Sequence, residues 1–280
     1  MSGHSERFLA FYDLHVPEHD PLVVDKIVAA VKEFEPDHII NGGDGIEAIA
    51  ASRWPHEKDA SLSFELSQLA DIKKRIRESA PDKCKFHWVR GNHDDNVIAE
   101  GRIPKNLRDL YDWDKNHKIF PEFALWKQHA YETRKSVCTY RIGQVLFMHG
   151  FEASEARLNA QMYEYCDPWG LLVSGHTHRP TELIQAEANK VKIPFWRITS
   201  GCGQDFRDAE KVTYMRRKSR ANWGHGIVCG DVYPTKSPRA GRYWDAWPVI
   251  WSTGAEDDDS RNWKPRHKEG SWKSDVSGCR

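Results

Sequence analysis

Apolar runs of strand length recur along the chain, and each stops abruptly at polar residues. They read RFLAFYDLH (7–15), HIINGGD (38–44), KFHWVRGNHDD (85–95), QVLFMHG (144–150) and GLLVSGHTH (170–178). Short continuous apolar runs bounded by turn residues are the pattern of buried strands. Between them the period changes. Asp20 and Pro21 read as an N-cap and a first-turn proline ahead of LVVDKIVAAVKEF. In SLSFELSQLADIKKRIRES, Leu62, Leu66, Leu69, Ile72 and Ile76 fall on one helical stripe, which Pro81 ends. SEARLNAQMYEYC (154–166) repeats the type. Strands alternating with helices predict α/β layers, at least in the first half.

Elsewhere the pattern is weaker. Residues 100–141 mix aromatic and charged positions, with KNLRDLYDW as a short helix, and predict a helical or loop insertion over the site. HGIVCGDVYP (225–234) and WPVIW (247–251) read as late strands. From Gly254 onward there are few apolar residues and mixed charge. The expected division is one domain over 1–253 and a flexible or extended tail over 254–280.

Composition narrows the classes. With 39% apolar and 29% charged residues, a soluble globular protein is expected. The formal net charge is zero, so whole-molecule attraction to nucleic acid or an anionic membrane is not implied, and any anion must be held by local features. Six scattered cysteines form no CxxC pair, the opening residues are too polar for a secretory signal, and no apolar run is long enough to span a membrane. A reducing cytoplasm is the expected setting.

The informative feature is where ligand-type residues stand. Asp13 and His15 follow the first apolar run, Asp44 the second, Asn92 and His93 the third, His149 the fourth, and His176 and His178 the fifth. In layered α/β sheets, sites form beyond the carboxyl ends of strands, so five strand ends can deliver these residues to one place. Glycines at 42, 43, 91, 150 and 175 permit the sharp turns this needs. Imidazoles, an amide and a few carboxylates suit a pair of divalent ions that clamp a phosphoryl group. Carboxylates alone would repel an anionic ester. Taken singly, DLH or GDGIE is a turn after a strand, and GNHD is ambiguous.

Together the blocks DLH (13–15), GDGIE (43–47), GNHD (91–94), MHG (148–150) and GHTH (175–178) resemble the calcineurin-like metallophosphoesterase family, in order and across about two thirds of the chain. The resemblance implies an α/β fold of two packed β-sheets flanked by helices. It implies that Asp13, His15 and His178 hold one metal, that Asn92, His149 and His176 hold the other, and that Asp44 bridges. His93 would face the substrate and protonate the leaving oxygen. Glu47 stands where the family often has an aspartate that orients this histidine, and it is one methylene longer. No arginine follows it, and GNHD rather than GNHE points away from the protein phosphatases, toward the phosphodiesterase and nuclease branches.

The function so implied is dinuclear, metal-dependent hydrolysis of a phosphodiester of nucleotide or nucleic-acid type. A phosphomonoesterase acting on nucleotides or phosphoproteins is the alternative. A non-catalytic binding scaffold is the alternative of another class. The expected cofactors are two divalent ions, manganese first, with iron, zinc or nickel as alternatives. The expected partner is the phosphoester, with no membrane.

Other candidates carry less. YMRRKSRANW (214–223) can grip a phosphate backbone or stack a base, but reads first as a solvated loop. Arg90, Arg179 and Arg207 can reach substrate oxygens. The tryptophans at 223, 244, 247 and 251 read mainly as core. The remaining histidines, among them His38, His87, His129 and His225, read as surface or satisfied polar groups.

Overall fold

The structure, a computed structural model, describes residues 4–49, 61–96, 116–129, 131–132, 137–187, 193–208, 212, 220–234 and 242–251. The expected tail from 254, the helix expected at 105–113 and residues 214–219 of the basic stretch lie outside them.

Two six-stranded mixed sheets pack face to face. The first holds β1 (Glu6–Phe11), β2 (His38–Asn41), β3 (Lys85–Trp88) and β4 (Lys127–Gln128), all parallel, and continues from β1 through antiparallel β11 (His225–Val232) to β12 (Trp244–Trp251). The second runs in the order β5 (Tyr131–Glu132), β6 (Val137–Ile142), β7 (Val145–Met148), β8 (Leu171–Ser174), β10 (Pro194–Thr199), β9 (Ile184–Glu187). Within it β7, β8 and β10 are parallel. Pro248 sits on β12, the outermost strand of its sheet, where the missing N–H costs least.

The alternation of side chains assigns the layers. On β1, Leu9 and Phe11 pack with the helix layer, while Phe8, Ala10 and Tyr12 join Ile40, Phe147, Val173, Ile198 and Trp244 between the sheets. The helix layer is α1 (Pro21–Phe34) and α2 (Leu62–Glu78). Asp20 caps α1 by accepting from the Leu22 N–H at 2.9 Å, and the chain leaves through Glu35 in the left-handed region. α2 buries the predicted stripe Leu62, Leu66, Leu69, Ile72 and Ile76. α3 (Asn92–Asn96) is a single turn after β3, and α4 (Glu155–Tyr165) covers the far face of the second sheet through Met162. Of the tryptophans read as core, Trp223 and Trp244 are buried, while Trp247 and Trp251 are half-buried against the helix-layer core.

The stretch expected as an insertion ends earlier than 141. Residues 116–118 and 121–125 are 3₁₀ turns, and from Lys127 the chain re-enters the sheets as β4, β5 and β6. These strands hid from the hydrophobic pattern because β4 and β5 are two residues each and β6 has only half-buried or exposed residues at its centre.

Candidate metal centre

The parallel neighbours β1, β2 and β3 end on one edge of their sheet, and β7 and β8 end together on the other sheet. All five predicted blocks lie at or just past these ends. The loops are laced by main-chain bonds: Asp13 N–H to Gly43 carbonyl at 3.0 Å, His15 N–H to Asp44 carbonyl at 2.9 Å, and Gly203 N–H to Asp13 carbonyl at 2.9 Å.

The backbone there is unusual. Asp13, His15, Asp44, His176 and His178 all adopt positive φ, between 50° and 67°. Residues with a Cβ seldom do, and each such residue costs energy that the surroundings must hold in place. Their concentration at one place marks the site independently of the motif. Gly91 must be glycine for a different reason: a Cβ there would lie 2.1 Å from Asp44 Oδ1. Gly43 pairs with it, at φ +108° and with its added Cβ 2.6 Å from the Gly91 nitrogen.

The side chains form two adjoining clusters. Asp13, His15 and His178 present ligand atoms within 4.8 Å of one another, and so do Asp44, His149 and His176. His15 Nε2 and His178 Nε2 lie 3.1 Å apart, with His178 Nε2 3.4 Å from Asp13 Oδ1. In the second cluster His149 Nε2 is 3.0 Å from Asp44 Oδ2, and His176 Nδ1 is 3.1 Å from Asn92 Oδ1. Asp44 Oδ2 also lies 3.9 Å from His15 Nε2, so this carboxylate sits between the clusters.

Two of the histidines are held from outside through their other ring nitrogen. His15 Nδ1 donates to the Glu47 carboxylate at 2.6 Å, and His149 Nδ1 donates to the Gly42 carbonyl at 3.3 Å. Each bond leaves Nε2 as the inward-facing atom, the arrangement that prepares a histidine for a cation. Asp13 is itself fixed by the His176 N–H at 3.0 Å. Burial raises the Asp13 and Asp44 carboxyls, but the facing imidazoles, His178 and His149 foremost, reverse this and hold both well below the usual range. Burial lowers His149, and Asp44 and Asp13 more than reverse it, to about 9. His176 is pushed down to about 4 by burial and by His149. Buried carboxylates with buried and half-buried imidazoles and the exposed Asn92 amide, converging on two points, are a donor set suited to divalent cations.

His93 stands apart from the inner set. Its N–H donates to Asp44 Oδ1 at 2.8 Å, and its ring meets His15 edge-on with centroids 4.7 Å apart. Its Nδ1 is 2.7 Å from the Glu47 carbonyl. A carbonyl only accepts, so Nδ1 carries the hydrogen and Nε2 is free of that bond. The side chain is 23% exposed, against 1% for His15. A ligand atom of His93 also falls within 4.8 Å of His15 and Asp44.

Glu47 departs from the role implied by resemblance. Its nearest carboxylate oxygen is 3.8 Å from His93 Nδ1, too far for a hydrogen bond, while the other oxygen bonds His15. The extra methylene carries the carboxylate past His93, and the main-chain carbonyl takes the position instead.

One residue of the centre was not foreseen. Asp94 is fully buried, accepting from Gly45 N–H at 3.1 Å and from Gly91 N–H at 3.0 Å. It ties together the loops that carry Asp44 and Asn92. The Trp223 ring packs against His178 with centroids 4.2 Å apart. Of the arginines, Arg207 faces Asp20 and Asp205, and Arg90 lies 3.5 Å from Asp95, while Arg179 is exposed. His225 is not brought to the centre: it donates from Nδ1 to the Cys202 carbonyl at 2.9 Å.

No curated protein matches the chain. Solved structures similar to it include vacuolar protein sorting 29 of Cryptosporidium parvum, 13% identical over 89% of this chain and 100% of that one, with a TM-score of 0.41. The phosphoesterase YfcE of E. coli is 13% identical over 81% of this chain and 92% of its own, at 0.37. The nuclease MPE of Pseudomonas putida is 12% identical over 86% and 87%, at 0.36. The calcineurin-like phosphoesterase family profile matches residues 7–180, which include all five blocks. The chain therefore belongs to the calcineurin-like phosphoesterase family.

Proposed function

We propose that the protein is a dinuclear metal-dependent phosphoesterase that hydrolyses a phosphodiester of nucleotide or nucleic-acid type. The observation that carries the catalytic part is the division of labour around Asp44. One carboxylate stands between two converging donor clusters and also fixes the main chain of His93. Asp13, His15 and His178 would hold one ion, Asn92, His149 and His176 the other, and Asp44 both. Two divalent ions there would supply Lewis acidity toward the phosphoryl group, manganese being the first candidate for this mixed nitrogen and oxygen set.

His93 supplies the proton. With Nδ1–H committed to the Glu47 carbonyl, Nε2 is the ring atom from which a proton would pass to the departing oxygen. Glu47 orients His15 through its carboxylate and His93 through its carbonyl. Diester preference rests on the GNHD block. The basic stretch lends little, since Arg220 donates to the Phe206 carbonyl and Trp223 is buried against His178. Residues 1–253 are the proposed catalytic unit. Among the described residues no helix is long and apolar enough to cross a membrane. The scattered cysteines support the cytoplasm as the setting.

The testing experiment is a hydrolysis screen of mono- and diesters with several divalent metals. Diester turnover above monoester turnover supports the proposal. The reverse order establishes the monoesterase, and no turnover of either with metal bound establishes the scaffold.

A further inference from the structure

A carboxylate on the apolar face of a helix costs free energy unless its oxygens are satisfied. Glu65 is such a residue. It lies in the first turn of α2 on the buried side that carries Leu62, Leu66 and Leu69, and is 1% exposed. Both oxygens are used, and on one short segment: Oε2 accepts from the Ala48 N–H at 2.8 Å and Oε1 from the Ile49 N–H at 3.1 Å. Ala48 has φ 54°, a conformation a residue with a Cβ holds only under constraint. It directly follows Glu47, whose carbonyl receives the His93 Nδ1–H.

We infer that Glu65 is a positioning residue for His93, clamping the 47–49 main chain so that the Glu47 carbonyl fixes the ring that donates the proton. Freed of the clamp, Ala48 relaxes from its left-handed conformation, and the carbonyl bonded to its nitrogen turns with it. His93 then loses the acceptor that sets its tautomer. Burial, with Glu47 and Glu18 nearby, pushes the Glu65 carboxyl up to about 8 against the opposing pull of the two N–H groups. A helix face with no other duty would place an apolar residue here.

The inference rests on the proton-donor reading of His93, and its test separates the two. Glu65→Leu removes both acceptors at similar size, and Glu65→Gln keeps one acceptor oxygen. The first readout needs no turnover: the nitrogen-15 signals of the His93 ring, assigned by their loss in His93→Asn. With the ring neutral, wild type should show the Nδ1–H tautomer. Glu65→Leu should show a mixed tautomer and faster exchange of that hydrogen, with Glu65→Gln between. The second readout is turnover at unchanged metal content. Glu65→Leu should lose up to about 10²-fold in kcat on esters with poor leaving groups, as expected for a misplaced catalytic group, with KM nearly unchanged.

Unaltered His93 signals in either folded variant overturn the inference. So does a loss in Glu65→Leu that is equal for good and poor leaving groups while His93→Asn shows leaving-group dependence. If Glu65→Leu does not fold, Glu65→Gln alone decides by the same two readouts. If the His93 signals change as expected but His93→Asn has no leaving-group dependence, the clamp stands and the proton-donor reading fails.

Discussion

Two groups of histidines in this molecule share a residue type and little else. His15, His149, His176 and His178 stand past strand ends, three of these four residues being in or beside left-handed turns, and face Asp13 and Asp44. His38, His87 and His129 lie on the inner face of the first sheet, within or just beyond β2, β3 and β4, under the ring of Tyr140. Here ring nitrogens meet in series. His129 Nε2 and His87 Nδ1 are 3.1 Å apart, His87 Nε2 and His38 Nδ1 are 3.1 Å apart, and His38 Nε2 ends on Glu6 at 3.2 Å. Glu6 accepts from His38, so each neutral ring donates to the next in one direction.

Charge divides the first group: carboxylates raise His15 and His149, the latter to about 9, in spite of burial, while burial lowers His178 and pushes His176 down to about 4. In the row, burial first, then the adjacent imidazoles and Lys127, push His87 down to about 3, and burial with Lys127 pushes His129 down to about 4. The difference lies in the company: carboxylates converge on the first group, whereas the row meets other imidazoles, with Glu6 at its end, and serves as a satisfied polar strut.

The largest effect should come from the residue between the clusters. Asp44→Asn should reduce hydrolysis to background on every ester, whereas His87→Gln should leave it within a few-fold at neutral pH. Comparable losses in both would erase the distinction. Next, His93→Asn should cost about 10²–10⁴-fold on esters with poor leaving groups and much less on good ones, the signature of general-acid help. Steady-state kinetics over a leaving-group series measures this, and loss of metal in the variant would instead make His93 a ligand.

Glu47→Gln sharpens the comparison within the centre. Its carboxylate holds His15, so the variant should bind metal about 10–100-fold more weakly, as is usual when the partner behind a ligating histidine is removed. Because the carbonyl that holds His93 is retained, leaving-group dependence should stay. The smallest effect concerns the row. The folded-state pKa values of His87 and His129 lie below the unfolded value of about 6.5, so the fold favours their neutral forms. Their contribution is complete above about pH 6.5 and is lost as pH falls toward 4 to 3, where Glu6, Lys85, Lys127 and Tyr140 are the facing groups. His87→Gln should flatten the fall in Tm across that window, and an unchanged slope would contradict the assignment.

Much of the site was legible in the sequence because each strand end carries its donors beside a glycine or within a short block, and parallel neighbours bring those ends together. DLH and GHTH needed no knowledge of the turns that hold them. What escaped depends on contacts between distant segments. Asp94 stood in plain view within GNHD, but its hold on Gly45 crosses between loops. Glu65 reads as one more charge on a helix until Ala48 and Ile49 are placed above it. The reach of Glu47 past His93 turns on one methylene. Likewise β6 and β10 stayed hidden, since VCTYRI and PFWRIT earn their strand pairing from β7 and β8 rather than from their own pattern.

The central claim is that Asp44 and its neighbours hold two metal ions and that the histidine row holds none. Elemental analysis of protein purified without chelators tests it directly, on wild type, Asp44→Asn and His87→Gln side by side. The expected result is up to two transition-metal ions per chain in wild type and in His87→Gln, and none in Asp44→Asn. Full metal content in Asp44→Asn, or a loss of metal in His87→Gln, would contradict it.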